Sequence, residues 1–389
     1  MAEGQGIAIV GGGPAAHAAA ASYREAGGEL PLRILAAEVE LPYERPPLTK
    51  EYLRGEIGRG ELFLGGSGWY REHGVEVETN AEICELDLET GEARTGDGRA
   101  WRFERCLLAT GARPLVPDIP GTDGPAVRTV RTIADSERLR DLAGSVVLVV
   151  GSGFVGCEAA ASLSMLGAGV RMATLEQSPQ AERLGEEASA RIRGWLEGHA
   201  VELLPGASLA EIGTEPQGPV ARFEDGREAH ADAIVLALGI ARNDRLAAAA
   251  GVEAEDGIAV DAAMVSSDPR LLAAGDVAAA ENAVAKRRLR VEHWGEALSM
   301  GAVAGRTLAG DGEARWDEAP GFWSTIGEHT LKYAGWGDGW DEVRFEPGRN
   351  GGFVARYGRG GELVGVLAHD DDEAYESGKR LIEERAPWS

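Results

Sequence analysis

The sequence predicts an α/β protein in which two domains contain parallel β-sheets and a smaller α/β domain follows them. Two copies of one pattern predict the first two domains, because a short apolar strand, a glycine-rich turn and a helix begin at Ile7 and again at Val146. A change of pattern predicts the third. From about Trp316, short aromatic and β-branched segments alternate with turns and lead to the helix-like segment "DEAYESGKRLIEE".

The first glycine-rich turn follows a predicted strand at Ile7–Val10 and reads Gly-x-Gly-x-x-Ala. In this pattern the first glycine permits a tight turn, the second lets the backbone approach a pyrophosphate, and a small third residue lets helix and strand pack. A second strand, in "LPLRILAAE", leads to Glu38, where a carboxylate would bind adenosine ribose hydroxyls. The predicted contacts at this turn are Gly11, Gly13, Pro14, Ala15 and Ala16.

The second copy follows a predicted strand at Val146–Val150 and ends in Glu176. A carboxylate there would accept hydrogen bonds from a free ribose 2′-hydroxyl and repel a 2′-phosphate, which favours NADH over NADPH. The alternative is a solvated glutamate at a strand end. The predicted contacts at this turn are Gly151, Gly153, Phe154, Val155 and Gly156, with Gly239 in the later segment "VLALGIARN".

Two complete copies predict two Rossmann-like dinucleotide sites, and the simplest chemistry for them is hydride transfer between one nicotinamide and one flavin. No catalytic triad, Cys–His pair or G-x-S-x-G elbow is readable, which agrees with a reaction that needs no nucleophile. His17, in the first helix segment, is expected to be a bystander.

Composition excludes several other functions. Asp and Glu outnumber Lys and Arg 64 to 39, for a formal net charge of −25, so nucleic-acid binding is not expected. No membrane-spanning run or signal-like N-terminus is readable, and we expect a cytoplasmic protein with no membrane association. Three isolated cysteines, Cys84, Cys106 and Cys157, are expected to be buried structural thiols, and no metal site is expected.

The segment "PYERPPLTK", Pro42–Lys50, contains two cations in a proline-stiffened stretch that we expect to be a non-helical loop. In so acidic a chain, cations fixed in this way suggest a bound anion. We therefore assign Arg45 and Lys50 to a site for a negatively charged ligand.

These segments together resemble one family, the oxygenase-coupled NADH:ferredoxin reductases. The resemblance rests on "GGGPAA", "PYERPPLTK", "LLATGARP", "GSGFVGCE", "VLALGIARN", "GIAVD", "SSDPRLLAAGDVA" and "EHWGEA", which occur in the expected order over nearly the whole chain. The family includes putidaredoxin and rhodocoxin reductases, and apoptosis-inducing factor is a distant relative.

The resemblance implies an FAD site assembled from distant segments. It places Arg45 at the pyrophosphate, Ile83 at the adenine, Asp276 at the ribityl hydroxyls and Trp294 at the pyrimidine edge of the flavin. It further implies FAD contacts from Ala109, Thr110, Gly111, Arg113, Gly275, Glu292 and His293. Trp323 would lie between the flavin and the C-terminal domain. Its alternative role is packing in the core.

The resemblance also implies a catalytic pair. Lys50 would lie beside the isoalloxazine, and Glu158 matches the position whose carboxylate pairs with that lysine. Such a pair would orient the nicotinamide and favour negative charge on the reduced flavin. The alternative for Glu158 is an acid in the first helical turn that interacts with the helix dipole.

The order of these segments predicts a discontinuous FAD domain at 1–114 and 244–315, an inserted NAD domain at 115–243 and a C-terminal interface domain at 316–389. The predicted boundaries lie in the loop-like segments "ARPLVPDIPGTDG" and "GIARNDRL".

We therefore expect an FAD enzyme that takes hydride from NADH and passes single electrons to a ferredoxin or related iron–sulfur carrier. The alternatives are an NADH-dependent rubredoxin or quinone reductase, and a redox-sensing flavoprotein similar to apoptosis-inducing factor. The carrier could dock near Lys286, Arg287 and Arg288, although these residues could equally form a solvated basic loop. The chain has Thr325-Ile326 where the family continues with Asp-Gln, so the sequence leaves the identity of the electron acceptor open. It also leaves open whether the protein is a monomer or a homodimer.

Overall fold

The structure is a computed structural model that describes residues 6–337, 339–348 and 351–388. Residues 1–5 of the predicted FAD domain, and 338, 349, 350 and 389 of the predicted C-terminal domain, lie outside the described residues. Helices and strands alternate over the described part of the chain, as the sequence predicts for an α/β protein.

The strands, in chain order, are β1 (Gly6–Val10), β2 (Leu32–Leu35), β3 (Val75–Glu78), β4 (Ile83–Asp87), β5 (Glu92–Thr95), β6 (Ala100–Leu108), β7 (Ala112–Pro114), β8 (Val127–Arg128), β9 (Val146–Val150), β10 (Gly169–Ala173), β11 (Glu202–Leu204), β12 (Leu209–Glu215), β13 (Gly218–Phe223), β14 (Glu228–His230), β15 (Ala233–Leu236), β16 (Ile240–Arg242), β17 (Ile258–Val260), β18 (Leu271–Ala273), β19 (Ala278–Asn282), β20 (Arg287–Leu289), β21 (Gly321–Ile326), β22 (His329–Gly335), β23 (Glu342–Pro347), β24 (Phe353–Arg359) and β25 (Glu362–His369). The α-helices are α1 (Pro14–Glu25), α2 (Glu51–Arg54), α3 (Gly66–Glu72), α4 (Ile133–Arg140), α5 (Phe154–Met165), α6 (Ala181–Leu184), α7 (Glu186–Gly198), α8 (Arg245–Ala249), α9 (Trp294–Leu308) and α10 (Asp372–Glu383). Two 3₁₀ turns span Pro46–Thr49 and Arg59–Leu62.

The chain forms two compact units, and the first comprises Met1–Glu44, Leu62–Ala112 and Arg242–Phe322. Its main sheet has the strand order β3-β2-β1-β6-β5-β4, and β18 also pairs with β6. The pairs β1–β2, β2–β3, β1–β6 and β6–β18 are parallel. The carboxyl ends of β1, β6 and β18 therefore meet at one edge of the sheet, which is where ligands bind in open α/β sheets.

Helices α1 and α9 pack tightly in this unit because small residues face each other. A Cβ atom at Gly301 would overlap the carbonyl oxygen of Ala15, and one at Gly305 would overlap that of Ala19. Only glycine allows two helix backbones to approach so closely. This packing fixes the first half of α1 against the second half of α9.

The second unit comprises Arg45–Glu61, Arg113–Ala241 and Trp323–Ser389. It contains a five-stranded sheet of order β11-β10-β9-β15-β8 and an antiparallel ribbon of β12, β13 and β14. A second five-stranded sheet has the order β21-β22-β25-β24-β23. Buried side chains of both five-stranded sheets join in one core cluster with α5 and α7, including Val149, Ile192, Leu331 and Leu367.

Two local features differ from the predicted ones. The segment Pro46–Thr49, predicted to be non-helical, forms a 3₁₀ turn with proline in its first positions. Proline is compatible with a helix start because the amide hydrogen it lacks would have no intrahelical partner there. Strands β7 and β16 pair at the two segments predicted to be loop-like domain boundaries. The predicted division into three domains stays a prediction.

Candidate functional site

The first glycine turn has a geometry that only glycine can adopt. Gly11 follows β1 with φ +124°, and its N–H donates to the Leu35 carbonyl oxygen at 2.9 Å. A Cβ atom at Gly11 would overlap the carbonyl oxygen of Ala109. The turn is thereby pressed against the ends of β2 and β6, and it directs the chain into α1.

The start of α1 has room for a ligand. Gly13 is the N-cap residue, and no side chain among the described residues caps it. A Cβ atom at Gly13 would meet nothing within 4 Å, whereas most other positions of this turn are closely packed. A helix start with open space and unsatisfied N–H groups fits the pyrophosphate of a dinucleotide.

Residues from the end of β18 reach the same edge of the sheet. Gly275 has φ +78°, and a Cβ atom there would come within 3.2 Å of the Ala15 Cβ and 3.4 Å of the Ala297 Cβ. This close approach places Asp276 next to the starts of α1 and α9. The sequence named Gly275 as an FAD contact, which stays a prediction, and the structure shows that α1 and α9 leave little room for a side chain there.

The start of α9 carries the predicted Glu292, His293 and Trp294. His293 is the N-cap residue, and its ring stacks on Phe322 with centroids 4.5 Å apart. Glu292 Oε1 accepts a hydrogen bond from Arg242 Nη2 at 2.5 Å. The FAD contacts predicted for these three residues stay predictions, and Glu292 is bound by an arginine that the sequence analysis did not name.

Hydrogen bonds hold several of the other predicted residues of the first unit. Tyr43 donates to Glu38 Oε2 at 2.6 Å, three residues beyond the end of β2. Asn243 Nδ2 donates to the Thr110 carbonyl at 2.9 Å, and its N–H donates to the Gly111 carbonyl at 3.0 Å. Ile83 is the first residue of β4. Asn243 thus fixes the Ala109–Gly111 segment after β6.

The second glycine turn repeats the geometry of the first. Gly151 has φ +107°, and a Cβ atom there would overlap the Ala237 carbonyl oxygen. Its N–H donates to the Ala173 carbonyl at 2.9 Å, the counterpart of the bond from Gly11. A Cβ atom at Gly156 would overlap the Gly151 carbonyl oxygen, while one at Gly239 would meet nothing within 4 Å. Helix α5 therefore needs its third glycine, and the space beside Gly239 is open.

A polar network joins this turn to Glu176. Ser152 Oγ lies 2.6 Å from Thr174 Oγ1, which accepts the Glu176 N–H at 3.2 Å. Buried Gln180, at φ +64°, donates from Nε2 to the Ser152 carbonyl at 2.9 Å. Glu176 Oε2 accepts the Glu182 N–H at 3.0 Å. Glu176 is therefore held at the edge of the turn by an exposed hydrogen bond, and its role at a ribose stays a prediction.

The proline-containing segment places both of its cations in the second unit. Arg45 Nη1 donates to the Arg131 carbonyl at 2.6 Å. The segment is anchored by two serines, because Ser136 Oγ donates to the Leu48 carbonyl at 2.8 Å and Ser162 Oγ to the Thr49 carbonyl at 2.7 Å. Its shape is thus fixed by α4 and α5 as well as by its prolines.

Lys50 and Glu158 form a buried ion pair. Lys50 Nζ lies 2.8 Å from Glu158 Oε2, and the two side chains are 6% and 7% exposed. Thr49 Oγ1 donates to the same carboxylate oxygen at 2.6 Å. Ser324 Oγ donates to Glu158 Oε1 at 2.8 Å, and the Thr325 N–H donates to it at 3.2 Å. Glu158 is the fifth residue of α5, which contradicts the alternative of a first-turn acid at the helix dipole.

The cysteines offer no reactive thiol at this site. Cys106 and Cys157 are buried, and burial raises the pKa of both thiols far above its usual range. The prediction of buried thiols is wrong for Cys84, which is exposed. Cys84 lies on β4, whose side chains are mostly accessible because the strand is at the edge of its sheet.

Two further predicted residues are exposed, and the described residues contain neither a metal-binding cluster nor a membrane-spanning helix. Arg113 on β7 is exposed, and Trp323 is 40% exposed. Over 6–337, 339–348 and 351–388, no group of His, Cys, Asp or Glu side chains is arranged to hold a metal ion. In the same described ranges, no helix has the length and apolar character needed to cross a membrane.

Sequence reasoning missed four residues of these networks: Thr49, Asn243, Gln180 and Ser324. Thr49 and Asn243 lie inside segments that the sequence analysis had quoted, so their polar side chains were a usable signal. Gln180 and Ser324 gave none, because no motif marks either residue and their partners come from other segments of the chain.

Comparison with known proteins identifies the chain. Residues 5–301 match the pyridine nucleotide-disulphide oxidoreductase family and 321–389 match the reductase C-terminal family. The ferredoxin–NAD⁺ reductase component of an anthranilate 1,2-dioxygenase system from Burkholderia cepacia is 32% identical, over 96% of this chain and 93% of that protein. The corresponding subunit of a benzene 1,2-dioxygenase system from Pseudomonas putida is 30% identical, over 97% of this chain and 92% of that protein.

The fold has close counterparts among solved structures. A putidaredoxin reductase, crystallised in covalent complex with putidaredoxin, superposes with a TM-score of 0.91 at 26% identity, over 98% of this chain and 93% of that one. The predicted resemblance, the α/β fold with two dinucleotide-binding regions and a C-terminal domain, and the cofactors FAD and NAD(H) are thereby confirmed. The chain belongs to the pyridine nucleotide-disulphide oxidoreductase family and is an NADH-dependent flavoprotein oxidoreductase.

Proposed function

We propose that this enzyme oxidises NADH and passes the electrons, one at a time, to a small iron–sulfur protein of the ferredoxin type. One observation carries the proposal: Lys50 forms a buried ion pair with Glu158, which lies on the helix that begins at the second glycine turn. A buried ion pair has a high desolvation cost, so it is retained where a charge is needed in a fixed place. Relatives that supply dioxygenase systems with electrons from NADH support the same function.

Most of the proposed FAD contacts are residues of the first unit. The open helix start at Gly13 would receive the pyrophosphate, and Arg45 is a further proposed contact of FAD. Glu38 and Asp276 offer carboxylates for ribose and ribityl hydroxyls. The other proposed contacts are Gly11, Pro14, Ala15, Ala16, Ile83, Ala109, Thr110, Gly111, Arg113, Gly275, Glu292, His293, Trp294 and Trp323.

When bound, FAD supplies a flavin ring that accepts a hydride and releases its electrons singly. Lys50 would place a positive charge beside that ring and so favour its reduced form, while Glu158 keeps the ammonium group in place. NADH would bind at Gly151, Gly153, Phe154, Val155, Gly156 and Gly239, with its ribose on Glu176. We also propose that the predicted FAD, NAD and C-terminal domains are the functional divisions of the chain.

Anaerobic stopped-flow mixing of the purified protein with NADH and, separately, with NADPH tests the donor side. We expect rapid loss of the flavin absorbance with NADH and at least about tenfold slower loss with NADPH, because Glu176 would repel the 2′-phosphate. A protein that binds no flavin, or one that both nucleotides reduce equally fast, would contradict the proposal.

The basic segment at β20 is the proposed docking site for the iron–sulfur protein. Lys286, Arg287 and Arg288 lie at the surface of an otherwise acidic chain. Arg288 Nη1 is 3.4 Å from Glu253 Oε1, so part of the local positive charge is offset. Because this chain has a net charge of −25, an acidic partner would be attracted only where such a basic patch is presented.

Cytochrome c reduction through an added ferredoxin tests the acceptor side. We expect Arg287→Glu to raise the ferredoxin concentration for half-maximal rate several-fold at low salt, and less at high salt, because charge steering is screened. Arg102→Glu, at a 70% exposed side chain on β6, is the matched control and should leave it unchanged. Equal effects of both variants would argue against docking at β20.

A further inference from the structure

The Glu158 carboxylate is bound by donors from two separate segments of the chain. The proline-containing segment supplies Thr49 Oγ1 and Lys50 Nζ to Oε2. Strand β21 supplies Ser324 Oγ and the Thr325 N–H to Oε1. Each carboxylate oxygen therefore accepts two hydrogen bonds, which fixes the plane of the group as well as its position.

Ser324 is an unusual residue at its place in β21. Side chains of a strand alternate between its two faces, and Phe322, Ser324 and Ile326 are the buried ones of this strand. Ser324 is 1% exposed. A hydroxyl between two apolar positions is unfavourable unless it is hydrogen-bonded, and its bond to Glu158 meets that need.

Loss of this hydroxyl would change the way in which Glu158 holds Lys50. Oε1 would keep only the longer bond from the Thr325 N–H, so the carboxylate could rotate and move Oε2. The ammonium group follows Oε2 because both are buried and paired. The effect of Ser324 on the reaction would thus be transmitted through Glu158.

We infer that Ser324, in the C-terminal domain, is a positioning residue for hydride transfer: it orients the Glu158 carboxylate, which in turn fixes Lys50. This inference rests on the proposed function, since it assumes that Lys50 lies beside the flavin. It assigns to strand β21 a role in the chemistry of NADH oxidation, in addition to its role in packing.

A double-substitution cycle tests the inference on the holoprotein. We expect Ser324→Ala to lower the limiting rate of flavin reduction about tenfold, with less than about a twofold change in the NADH concentration for half-saturation. In a Glu158→Gln background, the same substitution should change the rate less than about twofold, because its partner is already altered. A purely structural role would lower the rate equally in both backgrounds.

The matched control is Thr330→Val. Its hydroxyl lies 3.0 Å from Thr325 Oγ1 in the same hairpin but does not touch Glu158, so the reduction rate should stay within about twofold of wild type. If Ser324→Ala does not fold, Ser324→Cys carries the test, because a thiol is a weaker donor of similar size. A wild-type rate for either Ser324 variant, or equal losses in both backgrounds, would overturn the inference.

Urea unfolding of the same four proteins provides a readout that does not depend on turnover. Ser324→Ala should lower the folding equilibrium constant about tenfold in wild type and clearly less in Glu158→Gln. Coupling in unfolding without coupling in flavin reduction would overturn the role in hydride transfer. Failure of the proposed function has a different signature, since wild-type protein would then bind no flavin or would not be reduced by NADH.

Discussion

The two glycine turns are almost identical in backbone geometry, but their helices carry different side chains. Gly11 and Gly151 share a positive φ, a hydrogen bond to the neighbouring strand and contact with a third strand's carbonyl oxygen. Helix α1 buries mostly alanines against the glycines of α9. Helix α5 buries Glu158 instead.

The first turn is suited to binding a ligand. The second turn is suited to binding a ligand and also to placing a charged group for a reaction. In the proposed function, helix α1 needs only small side chains, because it would bring backbone N–H groups close to a phosphate. Helix α5 offers the same N–H groups and adds a carboxylate that binds a lysine from another segment. The second turn should therefore be the one at which substitutions affect reaction rate most strongly.

The largest expected effect comes from breaking the buried pair on α5. Lys50→Met should cost about 3–5 kcal/mol in the free energy of unfolding, because it leaves Glu158 buried without a cation. Flavin reduction by NADH should slow at least 100-fold. Urea unfolding and stopped-flow reduction check the two effects.

An exposed pair with a similar distance between its charged atoms is the control for this variant. Lys332 Nζ lies 2.7 Å from Asp372 Oδ1, with side chains 38% and 74% exposed. Lys332→Met should cost less than about 1 kcal/mol, because solvent screens exposed pairs. Similar costs for the two lysine variants would mean that burial is not what distinguishes the pair.

The next effect concerns the first turn alone. Gly11→Ala should destabilise the protein by about 2–4 kcal/mol, because alanine is strained at φ +124° and its Cβ would overlap a carbonyl oxygen. Gly13→Ala should leave the unfolding free energy nearly unchanged yet weaken FAD binding, because the space before Gly13 is open in the described residues. Thermal unfolding and flavin content of the purified variants check this. If Gly13→Ala lost as much flavin and as much stability as Gly11→Ala, Gly13 would be a packing residue.

The acid at the end of each copy should show a smaller, selective effect. Glu176→Arg should raise the rate with NADPH relative to NADH by about 10-fold or more, because an arginine can bind the 2′-phosphate. Glu38→Arg should lower FAD retention and leave the nucleotide preference unchanged. Steady-state rates with NADH and NADPH test both variants. A change of nucleotide preference in Glu38→Arg would show that the first copy, and not the second, binds NADH.

The smallest expected effect is a pH dependence of the protein's stability that arises from His17 on α1. Burial lowers the pKa of His17 on α1, and its Nδ1 lies 2.9 Å from Tyr70 Oη. The folded protein therefore disfavours the charged form of His17, whereas His17 of the unfolded chain takes up a proton below about pH 6.5. Stability should be unaffected at higher pH and fall as the pH drops below 6.5. His17→Gln should show a shallower fall in thermal unfolding, and parallel curves would exclude His17 as the cause.

Local patterns in the sequence were enough to predict the strands, turns and helices of both copies. The strand at Val146–Val150 and the helix in "DEAYESGKRLIEE" were found within one or two residues, because apolar periodicity and glycine positions are local signals. The 3₁₀ turn after Arg45 was missed, because prolines were read as excluding helix rather than as starting it.

The candidate site was only partly predictable. Lys50 and Glu158 were paired through a family resemblance, and the geometry brings them together. Ser324 was not predicted, because 166 residues separate it from Glu158 and no local pattern marks a serine in a strand as a hydrogen-bond donor to a distant acid. Contacts of this kind depend on the packing of whole sheets, which sequence periodicity does not specify.

The glycine contacts between α1 and α9 have a consequence for the order in which the chain can fold during synthesis. Helix α1 is among the first segments to leave the ribosome, but the helix it packs against follows roughly 270 residues later, which at typical elongation rates is about 15 to 50 seconds. The sheet around the second turn, β9 to β15, is complete well before that time. The first nucleotide site therefore stays incomplete, with an apolar face of α1 exposed, until α9 is synthesised. By then the entire sheet of the second nucleotide site has been made.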